Sequence, residues 1–172
     1  AGATEIVSVH LSRALSGTWD AARQAAQEID PTRIRVVDSR AVAMGLGYAV
    51  LAAYDAARAG ARGAGVEEAA AGVAARCRVL FSVANLDRLR RGGRIGTAAA
   101  LFGTALSVKP LLHLSEGRIT ALEKVRTTGR AVARMVDLAV DAAGEGAQLA
   151  VHHLGAPERA EDLADRLRER LP

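Results

Sequence analysis

The sequence has very little cysteine and very few aromatic residues. Among its 172 residues there are one Cys, one Trp, two Tyr and two Phe. A single cysteine excludes an internal disulfide and a cysteine-rich metal site, so we interpret Cys77 as a small buried residue. So few rings also argue against a surface that stacks single-stranded nucleic acid, which needs several aromatic platforms.

Sequence signatures of catalysis and of membrane insertion are absent as well. There is no Walker motif, no HExxH and no nucleophile elbow. No apolar run approaches the ~20 residues of a transmembrane helix, and no secretory leader opens the chain. We therefore expect a cytoplasmic protein without a catalytic or metal site of its own. Because the chain opens almost directly on a strand, we also expect it to be a fragment of a longer protein.

The composition is typical of a folded protein with a modest basic excess. Half of the residues are hydrophobic, and 23 Lys and Arg stand against 19 Asp and Glu, which gives a formal charge of +4. This length suits one compact domain or two small ones. The charge permits attraction to an anionic surface but does not require nucleic acid.

Apolar patterning in the first part of the chain predicts a parallel α/β unit. A strand, a helix and a second strand follow one another without a hairpin signal, which favours parallel pairing through a right-handed crossover. A second helix, a Gly/Ala/Arg linker and a third helix come next. The predicted segments are Glu5–Val9, Trp19–Glu28, Ile34–Val37, Met44–Arg58, Gly60–Gly65 and Val66–Arg76.

The second part of the chain predicts a different layer, with helices against an antiparallel sheet. Ser115-Glu116-Gly117 lies between two apolar segments and is typical of a hairpin turn. We place the boundary near residue 77, with one domain at 1–77 and another at 78–172. The predicted segments are strand Val79–Val83, helix Thr97–Leu106, strands Val108–Leu114 and Arg118–Val125, helix Thr128–Ala143, strand Leu149–His153 and helix Pro157–Leu171.

A cluster of hydroxyl groups lies between the first strand and the first helix. It comprises Ser12, Ser16 and Thr18, together with Gly17. Backbone N–H groups at the start of a helix are unpaired and favour an anion. Glycine lets the backbone come close to a ligand, and hydroxyls add donors. The alternative is that Ser16 or Thr18 merely caps the helix.

Four arginines lie within seven residues in the second part: Arg88, Arg90, Arg91 and Arg94. We expect Asn85 to cap a single helical turn that carries Arg88 and Arg91, and Gly92-Gly93 to end it. Guanidinium groups present forked donors that suit carboxylate or phosphate. The alternatives are a solvated basic turn and a patch for a membrane or RNA.

Four segments in this order resemble the DegV family: SVHLSRALSGTW, VVDSRAVAMGLGYAV, LDRLRRGGRIG and ALSVKPLLHLSEGRITALEKVRT. The resemblance runs through nearly the whole chain. It implies a two-domain fold, with a parallel α/β sheet followed by an α/β domain that has an antiparallel sheet. It also implies a non-enzymatic binding subunit of the FakB type, which holds a long-chain fatty acid in an apolar tunnel. Such a subunit presents the carboxylate to a separate ATP-dependent fatty acid kinase, in the service of phospholipid synthesis.

By this resemblance the hydroxyl cluster is the family's carboxylate-binding segment. The head-group candidates are Ser12, Ser16, Gly17, Thr18, Arg91 and Arg94. Arg88 and Arg90 are candidates for contact with the kinase and, transiently, with a membrane surface. We expect the tunnel to be lined by residues of Ala98–Leu114 and Ile119–Val125, with the fatty acid as ligand and no cofactor, metal or nucleic acid.

Two features of the family pattern are missing from the sequence. Family members usually begin with a half-domain that carries a TSQPS-like loop, and they usually end with a GHxGPG-like segment. Two other functions stay open beside the carrier: a phosphoryl-transfer component that binds phosphate at the hydroxyl cluster, and a basic module for membrane or RNA surfaces.

Overall fold

The computed structural model describes residues 2–101 and 109–171, and the chain divides into two compact units. The first unit comprises Ala1–Val79 and Leu114–Thr120, and the second comprises Leu80–His113 and Ala121–Pro172. The tip of one hairpin therefore packs with the first unit, although most of its strands belong to the second.

The first unit is built on a parallel pair of strands with three helices. Strands β1 and β2 pair in register from Ile6↔Ile34 to His10↔Asp38. This confirms the predicted parallel pairing and brings the ends of both strands to one edge of the sheet. The elements are β1 Ile6–His10, α1 Thr18–Ile29, β2 Ile34–Asp38, α2 Met44–Arg58 and α3 Gly63–Arg76.

Small residues allow the helices of the first unit to pack closely. The core contains Val37 of β2, Ala49 and Ala53 of α2, and Val66 and Ala70 of α3. Alanine lets helix axes approach and loses little side-chain entropy on burial. Val37 of the strand therefore fills core volume, and the small residues of α2 and α3 let these helices pack closely.

The second unit combines an antiparallel sheet with helices. Its strands lie in the order β3-β4-β5, and β3 pairs antiparallel with β4 from Leu80↔His113 to Ser82↔Leu111. Together with the first unit this confirms the mixed α/β class, with one parallel and one antiparallel sheet. The elements are β3 Leu80–Ser82, α4 Asp87–Arg91, a 3₁₀ turn Gly96–Leu101, β4 Lys109–Ser115, β5 Arg118–Val125, α5 Thr128–Ala142 and α6 Pro157–Arg170.

Helix α5 is amphipathic and is held by specific contacts at its start and along its length. The Thr127 side chain accepts a hydrogen bond from the Arg130 N–H at 3.2 Å and so caps the helix. Val132 and Val136 are buried. The Arg134 Nε–H donates to both carboxylate oxygens of Glu123 on β5, at 2.9 and 3.0 Å, and the Arg134 Nη2 lies 2.8 Å from Glu123 Oε1. A planar fork that meets a carboxylate in this way fixes orientation as well as distance.

Three predicted elements differ from the structure. Leu149–His153 is not a strand, because extended backbone becomes a strand only when it pairs, and neither sheet of the described residues includes it. Helix α3 begins at Gly63, inside the predicted linker, since the Glu5 carboxylate accepts the Gly63 N–H at 3.1 Å. The predicted helix Thr97–Leu106 is a 3₁₀ turn where it is described, at Gly96–Leu101, and the rest lies outside the described residues.

The remaining predicted elements agree with the structure to within a residue or two at each end. In the part of the chain that is described, no helix is both long enough and apolar enough to cross a lipid bilayer.

Candidate ligand-binding site

The turn between β1 and α1 is organised around Ser12, which is fully buried. Its backbone N–H donates to the Ala41 carbonyl at 3.0 Å, and its carbonyl accepts the N–H groups of Leu15 and Ser16 at 3.0 and 3.1 Å. Its hydroxyl donates to the Gly117 carbonyl at 2.7 Å and accepts the Ala14 N–H at 3.2 Å. Ser12 therefore fixes the course of the turn that leads to Ser16.

Ser16 and Thr18 form a pair of hydroxyl groups at the start of α1. Their oxygens are 2.5 Å apart, and the Thr18 N–H donates to the Ser16 oxygen at 3.3 Å. A hydroxyl has one proton, so one hydrogen bond between the two uses one proton and leaves the other for a ligand. Ser16 is half-buried and Thr18 is exposed.

The helix itself does not use these hydroxyls as a cap. Its N-cap residue is Gly17, and no side chain makes the capping hydrogen bond. A capping hydroxyl accepts from the second or third N–H of the helix, whereas Ser16 accepts from the first, that of Thr18. Neither Ser16 nor Thr18 therefore caps the helix in the ordinary way, and the ligand-binding role of the hydroxyl cluster stays a prediction.

Trp19 anchors the first turn of α1 to the sheet. Trp19 is only 8% exposed, and its Nε1–H donates to the Val36 carbonyl of β2 at 3.3 Å. The guanidinium carbons of Arg13 and Arg23 lie 4.3 and 5.2 Å from the ring centroid. Both distances lie in the range of cation–π contacts, so two guanidinium groups pack against this ring. Sequence reasoning did not identify this arrangement, although an arginine close to the single Trp was a usable signal.

The loop after β2 lies beside the turn after β1, as the sheet register requires. The Asp38 carboxylate accepts the backbone N–H groups of Arg13 and Arg40, at 3.3 and 2.9 Å. Ser39 is buried, and its N–H donates to the His10 carbonyl at 3.0 Å. Ala43, just before α2, has φ +52°. Positive φ is unfavourable for alanine, and such strain is concentrated at functional sites.

The predicted hairpin turn is present and packs against this loop region within the first unit. Glu116 and Gly117 have φ of +48° and +74°, as both central residues of a type I′ turn do. Gly117 is buried, and the exposed Glu116 carboxylate pairs with the Arg40 guanidinium at 2.6 Å. Arg40 and Glu116 are 76 residues apart in the sequence. A distant segment, the hairpin turn, thus completes the surroundings of Ser12.

The first unit also has an apolar groove of about 510 Å³ along β1. It is lined by β1, α2 and the start of α3, with Val7, Val9, Tyr54 and Val66 among its residues. None of the residues that line it belongs to the segments for which we predicted a tunnel. Residues 102–108 of those segments lie outside the described residues, so the tunnel stays a prediction.

The arginine cluster belongs to the second unit. Helix α4 carries Arg88, Arg90 and Arg91, with Leu86 rather than Asn85 as N-cap; the Asn85 side chain accepts the Asp87 N–H at 3.2 Å. The helix ends at Arg91 with Gly92 as its C-cap, in agreement with the predicted end at Gly92-Gly93. Gly93 then has φ +70° and donates to the Arg90 carbonyl, while the Arg94 N–H donates to the Leu89 carbonyl. These bonds form a Schellman motif.

All four arginine side chains of the cluster are exposed. Arg90 pairs with Asp87 at 3.6 Å, and the Arg94 guanidinium donates to the Gly92 carbonyl. The structure therefore brings Ser12, Ser16, Gly17 and Thr18 together in the first unit and the arginines together in the second. That Arg91 and Arg94 contact a head group stays a prediction.

Metal-binding side chains are not clustered in the part of the chain that the structure describes, and its cysteine is not activated. Where the chain is described, no group of three or more His, Cys, Asp or Glu side chains could hold a metal ion. Cys77 is partly buried, and this burial raises the pKa of its thiol. A raised pKa reduces the thiolate fraction, which is the reactive form.

Comparison with known proteins identifies the family. The model of an uncharacterised protein family, DegV, matches residues 1–172. A DegV domain-containing protein of Streptomyces coelicolor is 55% identical over 172 residues, which are 99% of this chain and 61% of that protein. The chain therefore spans less than two thirds of the length of this relative.

Solved structures of the same family have the same fold. A DegV family protein from Corynebacterium glutamicum superposes with a TM-score of 0.90 at 34% identity, over 98% of this chain and 64% of the other. A fatty-acid-binding DegV family protein from Thermus thermophilus superposes with a TM-score of 0.76 at 40% identity, over 84% of this chain and 51% of the other. By family model, sequence and fold, this chain belongs to the DegV family.

Proposed function

We propose that this chain is part of a carrier that binds a long-chain fatty acid, with the carboxylate at the turn between β1 and α1. The observation that carries the proposal is the Ser16–Thr18 hydroxyl pair, at a helix start that has no side-chain cap. The two oxygens of a carboxylate can accept from a free hydroxyl proton and from the unpaired N–H groups of a first helical turn.

Relatives support the apolar half of the proposed ligand. The Thermus thermophilus structure is of a fatty-acid-binding DegV family protein, and so is that of a Streptococcus agalactiae family member, at 26% identity and a TM-score of 0.89. We extend this property to the present chain because the hydroxyl turn offers a place for the polar end of such a ligand. The acyl chain would add about 0.8 kcal/mol for each buried CH₂ group.

We further propose divided roles for the arginine cluster. Arg91 and Arg94 are candidates for a second, basic contact with the head group. Arg88 and Arg90 are candidates for the surface that meets a membrane or a partner protein. The exposure of all four side chains supports a role in encounters with anions, since guanidinium binds carboxylate and phosphate groups through paired donors.

The partner in this proposal is a separate ATP-dependent fatty acid kinase, which phosphorylates the presented carboxylate in the cytoplasm. Such a division of labour requires the carrier to expose the carboxylate and to supply no phosphate-activating group of its own. The chain has no Walker motif that would cradle a nucleotide, which agrees with a binding subunit rather than with the phosphoryl-transfer alternative.

Mass spectrometry of an organic extract of the purified protein tests the proposal. We expect a long-chain fatty acid at close to one equivalent per chain, and rebinding of palmitate after delipidation. Recovery of nucleotide or phosphate without lipid would instead support the phosphoryl-transfer alternative. A lipid-free protein that binds RNA with a steep salt dependence would support the surface module.

A further inference from the structure

Gly117 makes an unusually close contact with the hydroxyl turn. A Cβ atom on Gly117 would collide with the Ser12 side-chain oxygen, and it would lie 3.3 Å from the Cβ atoms of both Ser12 and Arg40. Ser12 Oγ is fully buried and donates to the Gly117 carbonyl. The hairpin turn and the β1–α1 turn therefore meet through a contact that leaves no room for a side chain.

The geometry of the hairpin turn already favours glycine at this position. Gly117 has φ +74°, and glycine is the preferred second central residue of a type I′ turn. Asparagine adopts positive φ at less cost than most other side chains, so Gly117→Asn tests the space beside Ser12 with the least added backbone strain. The contact with Ser12 is a second requirement, because a Cβ atom on residue 117 would force the Ser12 side chain to move.

We infer that Gly117 is a positioning residue of the head-group site, which acts through Ser12 on the hydroxyl pair. The path runs from the Gly117 carbonyl to the Ser12 hydroxyl, and from the Ser12 carbonyl to the Ser16 N–H at 3.1 Å. A displaced Ser12 shifts Ser16, and Thr18 with it. This inference rests on the proposed function for its ligand, but the path itself is independent of any ligand.

The Arg40–Glu116 ion pair beside this contact is not what links the hairpin turn to the head-group site. Arg40 and Glu116 are 64% and 81% exposed, and exposed pairs add little stability. Glu116→Gln therefore serves as a control within the same turn. Gly146→Asn is the matched control for backbone strain, since Gly146 has φ +70° and open space around its Cβ position.

The test compares Gly117→Asn with both controls in two measurements. The first is affinity for palmitate and for hexadecanol, which lacks the charged head group. We expect Gly117→Asn to weaken palmitate binding about tenfold to a hundredfold, the range for one lost hydrogen bond to a charged group. Hexadecanol binding should stay within about twofold of wild type, as should both ligands with the controls.

The second measurement is hydrogen exchange at the Ser16 amide without ligand. Gly117→Asn should accelerate it, and Gly146→Asn should not. If Gly117→Asn fails to fold, Ser12→Ala replaces it in both measurements, because this change removes the same hydrogen bond without adding atoms. We then expect the same loss for palmitate and the same faster exchange.

Two results would overturn the inference. One is unchanged exchange at Ser16 in Gly117→Asn, and the other is an equal loss of palmitate and hexadecanol. If wild type binds neither ligand, the proposed function fails, while the exchange measurement still decides whether Gly117 acts on the turn.

Discussion

Removal of the Ser16 hydroxyl is the perturbation whose effect follows most directly from the geometry. In Ser16→Ala, Thr18 loses its hydroxyl partner at 2.5 Å, and the Thr18 N–H loses its acceptor at 3.3 Å. The site is half-buried at Ser16, so water replaces the lost hydroxyl only in part. The fold should survive, since the buried contacts of the turn are made by Ser12.

The expected loss of affinity for palmitate in Ser16→Ala comes only from the lost contact with the charged carboxylate. A hydrogen bond to a charged group is worth about 1.5–3 kcal/mol, which corresponds to roughly tenfold to a hundredfold in Kd at about 1.4 kcal/mol per factor of ten. The acyl chain keeps its burial energy of ~0.8 kcal/mol per CH₂. Ser16→Ala should therefore still carry lipid, but more weakly, and acyl-phosphate formation with a kinase partner should fall by a similar factor, as it should for Arg91→Ala.

The chain provides its own optical probe for this assay. Its one Trp is Trp19, which directly follows Thr18 and is packed under Arg13 and Arg23. Titration of the delipidated protein with palmitate should change the fluorescence of this residue. Thr4→Ala is the matched control, because Thr4 is an exposed threonine of the same unit. Equal palmitate affinities for Ser16→Ala, Thr4→Ala and wild type would refute the reasoning.

Three further predictions concern the surface and the fold. Arg88→Glu should weaken binding to anionic vesicles in a co-sedimentation assay, by about 1 kcal/mol per charge at the surface. Salt near 0.1 M should mask much of this loss, since the screening length is then about 10 Å. Asp137→Asn should lower the Tm at neutral pH, because the hydrogen bond from Arg170 lowers the pKa of Asp137. This stabilisation is present above the ordinary Asp pKa and is lost as pH falls through the folded-state pKa, so the two Tm curves should converge in acid. Gly45→Ala should reduce the free energy of unfolding by about 1–3 kcal/mol, because the new Cβ would lie 2.8 Å from a valine side chain.

Each of these has a control. Arg159→Glu reverses an exposed charge elsewhere in the second unit and should bind vesicles as wild type does. If Arg159→Glu and Arg88→Glu lose the same vesicle affinity, the cause is net charge and not the position of Arg88. Tm curves of Asp137→Asn and wild type that stay parallel into acid would exclude the ionised carboxylate as the cause. Gly129→Ala is matched to Gly45→Ala, since both glycines are second in a helix and Gly129 has open space. It should stabilise, by up to ~1 kcal/mol.

Local patterning predicted most of the elements but not the contacts between distant segments. Helix α2 at Met44–Arg58 and strand β5 at Arg118–Val125 have the predicted bounds, because apolar periodicity and turn glycines are local signals. Helix α3 begins earlier than predicted because its first N–H is accepted by Glu5, 58 residues away. No local pattern reports such a partner.

In the candidate site, too, local features could be predicted and contacts between distant segments could not. The residue types of the hydroxyl turn and its place at the end of a parallel strand could be predicted from the sequence. The burial of Ser12 and its bond to Gly117, 105 residues away, could not, because only the packed fold brings them together. The predicted strand Leu149–His153 was wrong for a related reason, since its apolar pattern carries no information about a pairing partner.

The most direct test of the central claim is a map of amide shifts in ¹⁵N-labelled, delipidated protein titrated with palmitate. If the carboxylate lies at the β1–α1 turn, the largest shifts on binding should be those of Ser16, Gly17 and Thr18, and Ser16→Ala should reduce them. Saturable palmitate binding that leaves these amides unshifted would contradict the account.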